Sequence, residues 1–145
     1  MNPFQLSYFE RLQSWSTLRQ NVAHISILDK CVAVDAWWQR APLVNHYLHP
    51  AEIHSWPNPW ELLHENEYCT VARAAGICYT LLLLDVEDVE LCTAVDEWSE
   101  ECNLVLVDGA KYVLNYYPNT VVNTTLQQFT IRQKYNITPL HSKIR

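Results

Sequence analysis

Glycine is nearly absent from this chain, with only Gly76 and Gly109 among 145 residues. A phosphate-binding loop or a dinucleotide fingerprint needs several closely spaced glycines, so both are excluded. Few glycines also mean few left-handed turns and a chain committed mostly to regular elements. No CxxC pair occurs, and the cysteines Cys31, Cys69, Cys78, Cys92 and Cys102 are odd in number. That pattern predicts free thiols in a reducing compartment rather than a disulfide framework. Basic residues are sparse and scattered, the net charge is −6, and only the C-terminal stretch is locally basic. A duplex-binding face needs clustered cations, so no nucleic-acid partner is expected. No apolar run approaches the roughly 20 residues that span a bilayer. The longest, Tyr79 to Leu84, is interrupted by Thr80 and stopped by Asp85. The start, Met1-Asn2-Pro3-Phe4, runs into an amphipathic pattern without a charged-then-apolar leader.

What is present is aromatic and apolar. Hydrophobic residues make up 49% of the chain, with Trp 6 and Tyr 8. This is not a disordered composition. The length fits one domain large enough to bury a core. Such aromatic loading marks a thick core or a surface held by partners.

The periodicity predicts helices first and strands later. Phe4, Tyr8, Leu12 and Trp15 form an apolar stripe that places a helix over 4–15. Ser14-Trp15-Ser16-Thr17 reads as a break, and Leu18 through Trp37 then keep a helical period over 18–40, ended by Pro42. Residues 41–57 are loop-like and aromatic. Asn58-Pro59-Trp60-Glu61 carries the marks of a capping box with proline at the first helical position. That short helix ends near His64. A further helix starts between Asn66 and Cys69 and runs to about Leu84, with small residues Ala72, Ala74, Ala75 and Gly76 inviting close approach. Gly76 inside it points to a packing or site reason, because glycine there costs about 1 kcal/mol against alanine.

After Asp85 the period shifts toward 2. Residues 89–95 and the pair 103–107 and 112–116 read as strands, the latter two flanking Asp108-Gly109, the strongest hairpin signal in the chain. If Asp108-Gly109 are the central turn residues, Cys102 faces Asn115. If Gly109-Ala110 are central, Leu104 faces Asn115. Residues 121–128 fit either a helix or a strand, 128–137 an edge strand, and the tail from Thr138 reads as poorly packed. The expected organisation is one domain: a helical part over 1–42, a core over 43–117, and a strand and tail over 118–145.

Three constellations bear on chemistry. Cys69 opens a helix, where orphan N–H groups and the dipole stabilise a thiolate. His46, His49, His54 and His64 precede it, but their spacing matches no closed zinc motif, and no metal or cofactor is expected. The acidic runs Asp85, Glu87, Asp88, Glu90 and Asp96, Glu97, Glu100, Glu101 lack EF-hand spacing and read as solvated turns.

The order of helices, then Tyr68-Cys69-Thr70-Val71-Ala72-Arg73-Ala74-Ala75-Gly76 after Trp60, then the 103–116 hairpin, resembles the transglutaminase-like, papain-related fold. The resemblance implies an α+β fold with N-terminal helices, a central helix opened by Cys69, and a small antiparallel sheet around the Asp108-Gly109 hairpin. It also implies a nucleophile at Cys69, a His near Cys102 or Asn103, and an acid or amide near Asn115. No His lies on the hairpin. The likeness therefore implies the fold without the family's reaction, since a thiol without its base loses most catalysis. The alternative is a Cys-dependent amidase or peptidase using Cys69 and Asn115 with a base from outside the hairpin.

A second likeness spans about residues 15–117. Trp37-Trp38-Gln39-Arg40-Ala41-Pro42, Trp56-Pro57-Asn58-Pro59-Trp60-Glu61-Leu62-Leu63 and Tyr112-Val113-Leu114-Asn115-Tyr116 look like small proteins of tailed bacteriophages. It implies a virion component of the tail, baseplate or neck, made in the host bacterial cytoplasm. The expected partners are other phage structural proteins in a symmetric oligomer. Trp38, Tyr47, Trp56 and Trp60 are the expected contact residues, because Trp and Tyr dominate binding hot spots.

Overall fold

The computed structural model describes residues 1–44, 48–117, 121 and 128–144. Among the described residues, four α-helices and a four-stranded antiparallel sheet make an α+β arrangement, with the second and fourth helices packed on the sheet. Helices α1 (Tyr8–Val22) and α2 (Ile27–Trp38) are each opened by a serine. Ser7 accepts the Glu10 N–H at 3.2 Å, and Ser26 accepts the Asp29 N–H at 3.1 Å. These caps correct the expected boundaries. The break falls at 23–26, not at 14–17. Ser14, Ser16 and Thr17 continue α1, and the Ser14 hydroxyl accepts the Trp37 indole N–H at 3.1 Å. Ser14 is thus engaged with α2 across the helix pair, a tertiary contact that does not interrupt α1.

Helix α3 (Pro59–Glu65) has the full capping box, with Asn58 Oδ1 accepting the Glu61 N–H at 2.8 Å and Glu61 accepting the Asn58 N–H at 3.0 Å. Asn66 closes it in the left-handed conformation at φ 55°. Helix α4 (Thr70–Leu83) follows Cys69, which sits at the N-cap with extended backbone. Eleven of its fourteen residues are buried, so α4 is the centre of the molecule rather than a surface helix. Thr80 Oγ1 accepts the indole N–H groups of both Trp15 and Trp38 at 2.9 Å and donates to the Gly76 carbonyl at 2.7 Å. A Cβ on Gly76 would lie 2.5 Å from Trp38 Cη2, which is the packing reason for that glycine.

The strands are β1 (Val89–Val95), β2 (Glu101–Val107), β3 (Tyr112–Leu114) and β4 (Thr130–Tyr135), ordered β3-β2-β1-β4. The hairpin pairs Val107 with Tyr112 and Val105 with Leu114. This is the register with Gly109-Ala110 at the centre. Asp108, Gly109 and Ala110 all have positive φ, at 58°, 66° and 64°. One face of the sheet, with Leu91, Val105, Val107 and Leu114, joins the helical core. The other, with Cys92, Ala94, Leu104, Leu106 and Val113, forms a second cluster with Phe129.

The tail from Thr138 is packed, contrary to expectation. Leu140 is fully buried, and the Lys143 ammonium donates to the carbonyls of His54 (3.0 Å) and Trp56 (2.8 Å). Its polar sequence hides two apolar contacts with the core, Leu140 and Ile144, and a cation that reaches two carbonyls. Among the described residues, no helix is long and apolar enough to cross a membrane.

Candidate functional site

The N-terminus of α4 gathers the polar side chains that the sequence singles out. Cys69 is half-buried, and its neighbour Thr70 is bound from two sides. Asn103, on β2, donates to Thr70 Oγ1 at 2.7 Å. Asn115, just past β3, donates its amide to the Thr70 carbonyl at 2.9 Å and to the Asn103 carbonyl at 2.8 Å. Asn115 takes φ 66°, which turns its backbone N–H onto Asp35 Oδ1 at 2.9 Å. Asparagine tolerates that left-handed conformation better than most residues. The sequence-predicted pair Cys69 and Asn115 is thus brought to one place.

Behind it lies a buried polar network. Asp35 is 1% exposed and also accepts from the Gln39 amide at 3.3 Å. The Arg73 guanidinium donates to the Gln39 carbonyl at 3.0 Å and to the Gln39 side-chain oxygen. Burial pushes the Asp35 carboxyl above its ordinary value, opposed by the Asn115 and Gln39 hydrogen bonds and by the Arg73 charge. Burial likewise lowers Arg73, and Asp35 opposes that shift.

The chemistry this arrangement can perform is limited by Asn103. Its side chain lies against Thr70 at the start of α4, and a carboxamide cannot accept a thiol proton as a base. Among the described residues no imidazole hydrogen-bonds to Cys69 Sγ. His49 Nδ1 accepts the Ala51 N–H at 3.0 Å, and His64 packs edge-on against Tyr8 at 4.8 Å. His46 lies outside the described residues. The described His, Cys, Asp and Glu residues contain no group of three or more able to hold a metal ion. In the acidic run, Asp88 accepts the Gly109 N–H and its carbonyl accepts the Asp108 N–H at 3.0 Å, bracing the hairpin turn.

The expected contact residues divide. Trp38 is fully buried, and Trp56 is 2% exposed with its indole donating to the His49 carbonyl at 2.9 Å. Both fill the core and present no surface to a partner. This correction follows from indole N–H groups finding acceptors inside the chain. Tyr47 lies outside the described residues. Trp60 is half-buried, packed edge-on against Trp15 at 6.0 Å, and lines two adjoining surface depressions.

Sequence reasoning missed the two most exposed aromatics among the described residues, Trp98 at 65% and Phe9 at 79%. Each had a signal. Phe9 stands one residue off the Tyr8–Leu12–Trp15 stripe, and Trp98 sits inside an acidic turn between two strands. That turn is rigid. Asp96 Oδ1 accepts the N–H groups of Trp98 and Glu100, both at 2.9 Å, and Oδ2 accepts the Tyr116 hydroxyl at 3.0 Å. Compared with known proteins, the chain matches no family model and no curated protein.

Proposed function

We propose that this chain is a structural or interaction protein of a bacteriophage particle, a tail, baseplate or neck component, on a transglutaminase-like core that lacks its base. The non-catalytic half is supported by Asn103, near where the resemblance implies a His, whose amide donates to Thr70 Oγ1 at the start of α4. The phage half rests on the resemblance of the Trp56–Leu63 run. Two rigidly held or protruding aromatics, Trp98 and Phe9, supply what a binding protein needs at its surface.

Quantitative mass spectrometry of purified particles tests the reading. The chain should be present in fixed stoichiometry with the tail proteins, and its absence would overturn the assignment. Treating the native protein with a small alkylating agent near neutral pH tests the enzymatic alternative. Cys69 should react slowly and form no covalent intermediate with activated acyl substrates. Fast, selective labelling of Cys69 would favour an amidase or peptidase instead.

A further inference from the structure

The turn joining β1 to β2 is built as a knob. Trp98 stands at its tip, 65% exposed, and Glu97, Glu100 and Glu101 around it are all exposed. The backbone beneath is fixed. Besides the two bonds to Asp96 Oδ1, the Asp96 N–H donates to the Glu100 carbonyl at 2.9 Å and the Ser99 N–H to the Asp96 carbonyl at 3.0 Å. A loop already ordered loses little entropy on binding, which is the condition for an effective anchor residue. Among the described residues, none of the three glutamates forms an ion pair.

The outer side of α1 and α3 is built as a socket. Phe9, Leu12, Trp15 and Trp60 line an open groove of about 420 Å³, within the size range of ligand clefts. Arg19 lies over the Trp15 ring at 4.2 Å, with burial lowering its pKa. Among the described residues its guanidinium has no carboxylate or carbonyl partner, and its Nε is a buried donor without an acceptor. The groove therefore combines aromatic walls with an unpaired cation. The knob combines an indole with unpaired carboxylates.

We infer that the Trp98 turn of one copy docks into the Phe9–Trp60 groove of a second copy of this chain, with Arg19 receiving a knob carboxylate. Both halves are open in the single chain, so the contact is made between chains. It is head-to-tail: each copy offers a knob and a socket at different places. Such a heterologous contact closes into a ring or runs on as a filament, rather than stopping at a two-fold dimer. The inference deepens the structural role proposed above by naming one partner, and the two can fail separately. A chain that self-associates but is absent from particles would overturn only the particle assignment.

Sedimentation velocity on the full chain over a concentration series tests it. The wild-type protein should associate progressively. Trp98→Ala, Phe9→Asp and Arg19→Glu should each weaken association at least about tenfold, as loss of a hot-spot residue does. Trp98 and Phe9 lie outside the core, and circular dichroism should show those two variants folded. The decisive arm mixes Trp98→Ala with Phe9→Asp. The first keeps a socket and the second a knob, so the mixture should form one-to-one pairs and nothing larger. A wild-type chain that stays monomeric, a Trp98→Ala chain that associates like wild type, or a mixture without pairs overturns the inference.

Discussion

Asp35 shows how a single buried residue ties the site to the scaffold. Its Oδ1 accepts from Asn115 just past β3 and from Gln39 just past α2, so the carboxyl links the end of the hairpin to the helical layer. Burial disfavours its charged form, and the folded pKa stands above the unfolded one. A carboxyl shifted in that direction stabilises the fold fully below the unfolded pKa. The contribution is lost as pH rises through the folded value. Asp35→Asn keeps an oxygen for both hydrogen bonds and removes the titration. Urea unfolding at a series of pH values should therefore show the variant gaining on wild type as pH rises from the acid range, with the difference levelling off once Asp35 is ionised. A difference that shrinks with rising pH would show that the ionised form is the one favoured in the fold.

At the scale of elements, the β2–β3 hairpin is held in register by its turn. Ala110 takes φ 64°, a conformation that costs a residue with a Cβ roughly 1 kcal/mol. Ala110→Gly should raise stability by about 0.5–1 kcal/mol, less whatever the lost methyl contributed against the far-face cluster, and chemical denaturation with an unchanged slope measures it. A loss of stability would mean that the methyl contact outweighs the backbone strain. The turn also shows what was legible in the sequence. Asp108-Gly109 announced a hairpin, but the choice between two registers needed the pairing of Val107 with Tyr112. The α3 capping box was readable because caps are local side-chain chemistry, whereas α4 opens at Cys69 without a side-chain cap and was placed by its apolar period. The α1–α2 break was misplaced because Ser14 has a tertiary partner in Trp37, which local pattern cannot reveal. The site was half legible for the same reason. Cys69 and Asn115 follow from chain order, whereas Asp35 lies in a helix 80 residues from Asn115 and reaches it only through packing, with Gln39 bonded to it from just past that helix.

For the whole molecule, three buried thiols report on whether the helical layer and the sheet unfold together. Cys31 lies in α2, Cys78 in α4 and Cys92 on the far face of β1, and all three are fully buried. Burial pushes Cys31 and Cys78 up to about 12 and Cys92 up to about 11, with nearby carboxylates adding to the shift at Cys31 and Lys134 opposing it at Cys92. Near neutral pH, such thiols hold almost no thiolate, so each reacts only when the structure around it opens. Central α4 contacts α2, α3 and both central strands, and the helix-facing side of the sheet shares one continuous apolar cluster with them. That continuity argues for one cooperative unit. Alkylation pulses at increasing urea, read by mass spectrometry, should therefore show Cys31, Cys78 and Cys92 becoming reactive in a single transition that coincides with the loss of helical circular dichroism. Earlier labelling of Cys92 would mean that the far-face cluster around Phe129 opens before the helical core. The hairpin could then no longer be treated as rigidly fixed to α4, and the Asn103 and Asn115 contacts with Thr70 would be lost while the helices still stood.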